Sequence, residues 1–232
     1  MFAGFYAIIA ALGGQFADAV IAVFVAALLD GLDGRVARLT NTQSAFGVQY
    51  DSLSDLVSFG VAPALVLYVW SLESLKTHGA AWGNLGWAAA FIFAACGALR
   101  LARFNTQVGV ADKRYFQGLA IPAGAGLAMS YLWTVLDLGL TGAQVQFLTP
   151  VVAIVAGLLM VSRFRYFSFK SWPLSEKVPF FWIPLAVLIL VALALDPPRV
   201  LFGIAVIYAL SGPILTLWGR ARARNRREPR VP

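Results

Sequence analysis

The chain has 232 residues, of which 60% are hydrophobic and only 12% charged, with a formal net charge of +7 and a mean hydropathy of +0.77. A soluble domain is roughly 25% charged, so these values exclude a water-soluble enzyme and predict an integral membrane protein. One cysteine, Cys96, excludes an internal disulfide, and with one histidine, His78, the chain lacks the ligands for a zinc or haem site.

Apolar runs long enough for a hydrocarbon core about 30 Å thick recur from end to end. About eight segments follow in order: 2–12, 17–38, 46–70, 82–104, 119–138, 143–161, 178–194 and 199–218. The first is too short to span alone. Met1 opens directly into "FAGFYAIIAALGG", without a charged leader region or a small-residue cleavage site, which reads as a first helix lacking its beginning rather than as a removable signal peptide. No polar linker divides the chain, so the expectation is an all-α polytopic transmembrane bundle over residues 1–218, followed by a basic tail over 219–232.

Basic residues collect in alternate gaps. Arg35, Arg38, Arg100, Arg103, Lys113, Arg114, Arg163, Arg165, Lys170, Lys177, Arg220, Arg222, Arg224, Arg226, Arg227 and Arg230 fall on one side if the spans alternate; Lys76 and Arg199 fall on the other. This asymmetry places the first side in the cytoplasm. It accounts for the net charge as topology, with tail contacts to anionic lipid, rather than as a nucleic-acid surface.

Four aspartates interrupt the apolar pattern near that side. Asp30 and Asp33 stand at i and i+3, while Gly47, Asp51 and Asp55 stand at i, i+4 and i+8, so each set shares one helix face. Gly31, Gly34 and Gly47 leave room beside these faces. Clustered carboxylates at membrane depth need positive charge between them. Arg35 and Arg38 supply two charges at most, and an all-oxygen set suits Mg²⁺, Mn²⁺ or Ca²⁺. Two such ions about 3.5 to 4 Å apart match sites of phosphoryl transfer. Spacing alone also allows a structural ion-pair network, a proton relay or a divalent-cation transporter.

The string Asp30-x-x-Asp33-Gly34-x-x-Ala37-Arg38, eight residues, then Gly47-x-x-x-Asp51-x-x-x-Asp55 resembles the complete signature of the CDP-alcohol phosphotransferases. Beyond it, "GFYAII", "NTQSAFGVQYDSLSDLVSFGVAPA", "CGALRLARFN", "QGLAIPA" and "LMVSRFRYFSFK" resemble the phosphatidylserine synthase branch of bacteria and archaea. Ala120, Phe164 and Phe167 depart from that branch, as does the short start. The resemblance implies a six-helix core plus two C-terminal helices, a homodimer, and transfer of a phosphatidyl group from CDP-diacylglycerol to L-serine with release of CMP. It implies Asp30, Asp33, Asp51 and Asp55 as ligands of two Mg²⁺ or Mn²⁺ ions, Asp55 as base, and Gly34, Ala37, Arg38 and Gly47 as the nucleotide pocket. A same-family enzyme with another acceptor, such as a phosphatidylglycerophosphate synthase, is the nearest alternative.

The acceptor reading rests on charge. Serine brings a carboxylate, and Arg100 and Arg103, an i, i+3 pair followed by Asn105 on an otherwise apolar helix, are the candidates to meet it. Both arginines could instead extend to the interface as topology anchors.

Overall fold

Lipid offers no hydrogen bonds to a backbone, so each apolar run is constrained to close its own bonds as a helix. The computed structural model describes residues 1–40, 44–106, 115–167 and 182–227. These form α1 (Phe2–Leu12), α2 (Phe16–Leu39), α3 (Ala45–Asp55), a π turn (Leu56–Val61) and α4 (Ala62–Trp70). A 3₁₀ segment (Leu72–His78) leads into α5 (Ala80–Thr106), β1 (Tyr115–Gln117), α6 (Ile121–Asp137), α7 (Leu148–Val161), β2 (Arg165–Phe167), α8 (Trp182–Leu195) and α9 (Pro197–Arg227). Among the described residues, three helical stretches, Phe46–Trp70, Ala80–Thr106 and Pro197–Trp218, are long and apolar enough to cross a membrane. The protein is an integral, multi-pass helical bundle. Residues 41–43, Lys113, Arg114, Lys170, Lys177 and Arg230 lie outside the described residues.

Helix contacts are made by small residues, as expected where van der Waals packing rather than hydrophobicity drives association. Ala7, Ala10 and Ala11 of α1 are buried with Ala19, Ala22, Val23 and Ala26 of α2. Between α5 and α7, a Cβ on Gly157 would approach the Phe93 Cα to 3.2 Å. Gly4 brings α1 onto the π turn so closely that a Cβ there would stand 2.5 Å from the Ser58 Cα and 2.7 Å from its Oγ. Neither helix can yield locally, so Gly4→Val is expected to cost about 1 to 3 kcal/mol through overpacking, read as a lower thermal midpoint in detergent.

The π turn has a local cause. Pro63 is the second residue of α4 and has no N–H to close the α-helical bond to the Phe59 carbonyl, which its ring also crowds. The wider turn over Leu56–Val61 accommodates that carbonyl without ending the helix. The consequence is one continuous span with a widened register directly after Asp55.

Two features depart from the sequence expectation. Tyr115–Gln117 and Arg165–Phe167, both outside the eight apolar segments, pair as a short antiparallel ladder, with Phe116 opposite Tyr166. The last helix also continues through the basic stretch to Arg227, because "RARARNRR" is rich in good helix formers. At the end of the bundle away from the aspartates, Ser71 donates to the Gly142 carbonyl (2.7 Å) and pairs with Thr149 (2.9 Å), which pairs with Tyr131 (3.1 Å). Buried hydroxyls are thereby satisfied.

Candidate active site

Ser44 caps α3, its Oγ accepting the Gly47 N–H at 2.9 Å, and this fixes where the helix starts. From that start Asp51 and Asp55 project one turn apart toward α2. Oxygens of Asp30, Asp51 and Asp55 all lie within 4.8 Å of one another. Asp30 and Asp55 are half-buried and Asp51 is exposed. Such a group of oxygens fits a hard divalent cation, for which carboxylates at short range are the usual donors.

These carboxylates open into a cavity of about 420 Å³ between α1, α2 and α3. Asp33 lines it too, but stays exposed and outside the three-carboxylate group. A residue at i+3 is about 4.5 Å further along the axis and rotated by about 60°, so Asp33 extends the acidic surface instead of converging on the same point. Phe2, Leu29, Leu32, Val36 and Phe59 supply apolar wall, and Ser54 and Ser58 supply hydroxyls. An acidic floor beside an apolar wall suits an amphiphile whose polar group carries phosphate and whose remainder is lipid.

The other predicted positions separate. Gly47 is exposed, and a Cβ there would meet only the Ser44 Oγ, at 3.1 Å. Gly34 is half-buried on α2, and for Ala37 and Arg38 the backbone alone is described. Arg103 donates from Nη1 to the Val161 carbonyl at 2.8 Å, joining α5 to the last turn of α7. Asn105 donates from Nδ2 to Ser52 Oγ at 3.0 Å, joining α5 to α3. Arg100 differs from both: its Nε is buried and has no hydrogen-bond partner among the described residues. A buried unmet N–H on a guanidinium is costly.

Sequence reasoning missed Ser54, Ser58 and the approach of Tyr208. The serines carry no signal beyond their helical spacing from Asp51. Tyr208 belongs to α9, far from the signature in the chain.

Residues 1–161 match the family described as CDP-alcohol phosphatidyltransferase. The chain is similar to the CDP-diacylglycerol--serine O-phosphatidyltransferase of Helicobacter pylori, with 38% identity over 214 residues, 90% of this chain and 85% of that protein. A protein of the same name from Methanocaldococcus jannaschii is 36% identical, covering 85% of this chain and 83% of its own. The archaetidylserine synthase of Methanothermobacter thermautotrophicus is 34% identical over 70% of this chain and 64% of that protein.

Proposed function

The chain belongs to the CDP-alcohol phosphatidyltransferase family, and from that premise we propose that it transfers the phosphatidyl group of CDP-diacylglycerol to the hydroxyl of L-serine, releasing CMP. The observation that carries this reading is the convergence of Asp30, Asp51 and Asp55 on a cavity with apolar walls.

Asp30, Asp33, Asp51 and Asp55 would hold two divalent ions, Mg²⁺ or Mn²⁺, which when bound neutralise the diphosphate and stabilise charge on departing CMP. Asp55 takes the proton from the serine hydroxyl onto a carboxylate oxygen. The freed oxygen bonds to the phosphorus that carries diacylglycerol, and the bond from that phosphorus to the CMP oxygen breaks, with its electron pair leaving on CMP. Gly34, Ala37, Arg38 and Gly47 receive the nucleotide, glycine admitting its approach and arginine pairing a phosphate. Leu29, Leu32 and Val36 face the acyl or ether chains and keep water from the reacting phosphorus.

Arg100 meets the serine carboxylate, while Arg103 and Asn105 set the position of α5 through Val161 and Ser52. Arg100→Ala is therefore expected to raise the serine KM by about 10- to 100-fold, the range for losing a charged hydrogen bond, with the donor KM little changed. Arg103→Ala should instead lower thermal stability. Equal serine KM values in Arg100→Ala and the parent would remove Arg100 from the acceptor site.

The same reading assigns α1 to α7 to a six-helix core and α8 and α9 to two added helices, with the aspartates facing the cytoplasm and two chains forming a homodimer. The test is CMP release by the purified full chain from CDP-diacylglycerol with Mn²⁺ or Mg²⁺, comparing L-serine, glycerol 3-phosphate and inositol phosphate. Serine-dependent release is the expected result. Release with another acceptor overturns the serine assignment, and no release with any acceptor overturns the enzymatic reading.

A further inference from the structure

α3 carries two of the three converging carboxylates, yet packing does little to fix it. Phe46, Val48, Tyr50 and Leu53 on α3 are exposed, whereas α4, beyond the π turn, is anchored by buried Ala62, Ala64, Val66 and Leu67. A helix anchored from one end can still swing and turn about that end. Groups that share an ion must hold their separation, which is the usual task of a hydrogen bond behind the ligands.

Such a bond reaches α3 from α5. Asn105 Nδ2 donates to Ser52 Oγ at 3.0 Å, closer than the 3.5 Å to the amide oxygen. Ser52 Oγ in turn donates to the Val48 carbonyl at 3.1 Å, one turn back in α3. The hydroxyl is therefore tied to its own helix backbone, and the amide grips the helix rather than a freely turning side chain. The α5 end of the contact is firm: α5 packs closely on α7 at Phe93 and Gly157, and Arg103 bonds the Val161 carbonyl at 2.8 Å. Residues two apart on a helix point about 200° from one another, so the last turn of α5 stands between α7 at Arg103 and α3 at Asn105. On α3, Ser52 lies about 100° around the axis from Asp51 and about 60° from Asp55. The bond thus holds the flank of the carboxylate face without entering it.

Resting on the metal site of the function proposed above, we propose that Asn105 is a positioning residue for that site: through Ser52 it fixes the rotation of α3 that brings Asp51 and Asp55 to Asp30. The amide acts on the metal ligands and not on the acceptor.

The test is Mn²⁺ binding to the purified full chain in detergent, without substrate, read from the electron paramagnetic resonance signal of the free ion. Parent, Asn105→Ala, Ser52→Ala, the double variant and Ser52→Thr are compared. Each alanine variant should bind Mn²⁺ about fivefold more weakly or worse, as expected for loss of one hydrogen bond. The double variant should differ from either single variant by less than about twofold, since both act through one bond. Ser52→Thr keeps the hydroxyl and should bind within about twofold of the parent. Alanine is the better helix former, so weaker binding by Ser52→Ala does not come from melting α3. Parent-like Mn²⁺ affinity in both alanine variants, or additive losses in the double variant, overturns this inference. So does an Asn105→Ala protein with unchanged Mn²⁺ affinity and a raised serine KM, which would make the amide an acceptor contact. Parent protein that takes up no Mn²⁺ overturns the proposed metal site and this inference with it. The acceptor takes no part in this measurement, so a failed serine assignment leaves its result unaffected.

Discussion

Asp55→Asn is expected to lower CMP release by roughly 10³-fold or more while leaving the fold intact, combining loss of a general base with loss of a charged ligand. Asn matches Asp in size, so the half-buried position keeps its packing. What changes is chemistry: an amide neither accepts the acceptor proton nor completes the group in which three carboxylates lie within 4.8 Å.

A second readout separates these losses from misfolding. Without divalent ions, the three carboxylates repel one another, so Asp55→Asn should unfold at the same temperature as the parent or higher. With saturating Mn²⁺ the parent should gain stability by mass action, and the variant should gain much less. Activity within tenfold of the parent, or an undiminished Mn²⁺-dependent shift, would remove Asp55 from both roles.

The geometry also explains which parts of the site could be read in advance. Asp51 and Asp55 are one turn apart on one helix, and that relation is local. The approach of Asp30 is a contact between two helices, yet the signature spacing was enough to pair them. Asp33 lines the same cavity, one helical rise further along α2 from Asp30. The helix positions were legible because bilayer thickness sets their length.

Other features are relations between distant residues and leave little local trace. Residues 46–70 read as one uninterrupted apolar run, since a single π turn hardly disturbs its pattern, and its cause at Pro63 is visible only once the helix is known to continue. The ladder of three residues per strand is too short for an alternating pattern. Pro213 announces an unmet carbonyl, but nothing in the sequence says that Tyr166, 43 residues before Ala209, satisfies it. Likewise Arg100 and Arg103 share a helix face in sequence, and only packing shows that Arg103 is bonded to Val161 while an Arg100 nitrogen is unmet.

Gly118→Ala is the substitution expected to damage the fold most, and its effects should reach the last helix. Gly118 joins β1 to α6 with φ of +80°, a conformation that costs a residue bearing Cβ about 1 to 2 kcal/mol. A Cβ there would also run into the Met160 carbonyl and stand 3.1 Å from that of Ser162. Backbone on both sides must therefore move, at the place where the Gly118 N–H bonds the Phe164 carbonyl and the Leu119 N–H bonds that of Leu159, each at 2.9 Å. With roughly 1 kcal/mol for each bond weakened, the total is about 3 to 4 kcal/mol, a large part of a typical folding free energy. Gly126→Ala, on α6 with nothing within 4 Å of the added carbon, should be neutral or slightly stabilising. Thermal unfolding in detergent reads both, and equal midpoints for the two variants would refute the account of Gly118. Because the displaced ladder carries Tyr166, whose hydroxyl bonds the Ala209 carbonyl, any folded Gly118→Ala protein should also hold α9 less firmly, read as faster amide exchange along that helix than in the Gly126→Ala protein.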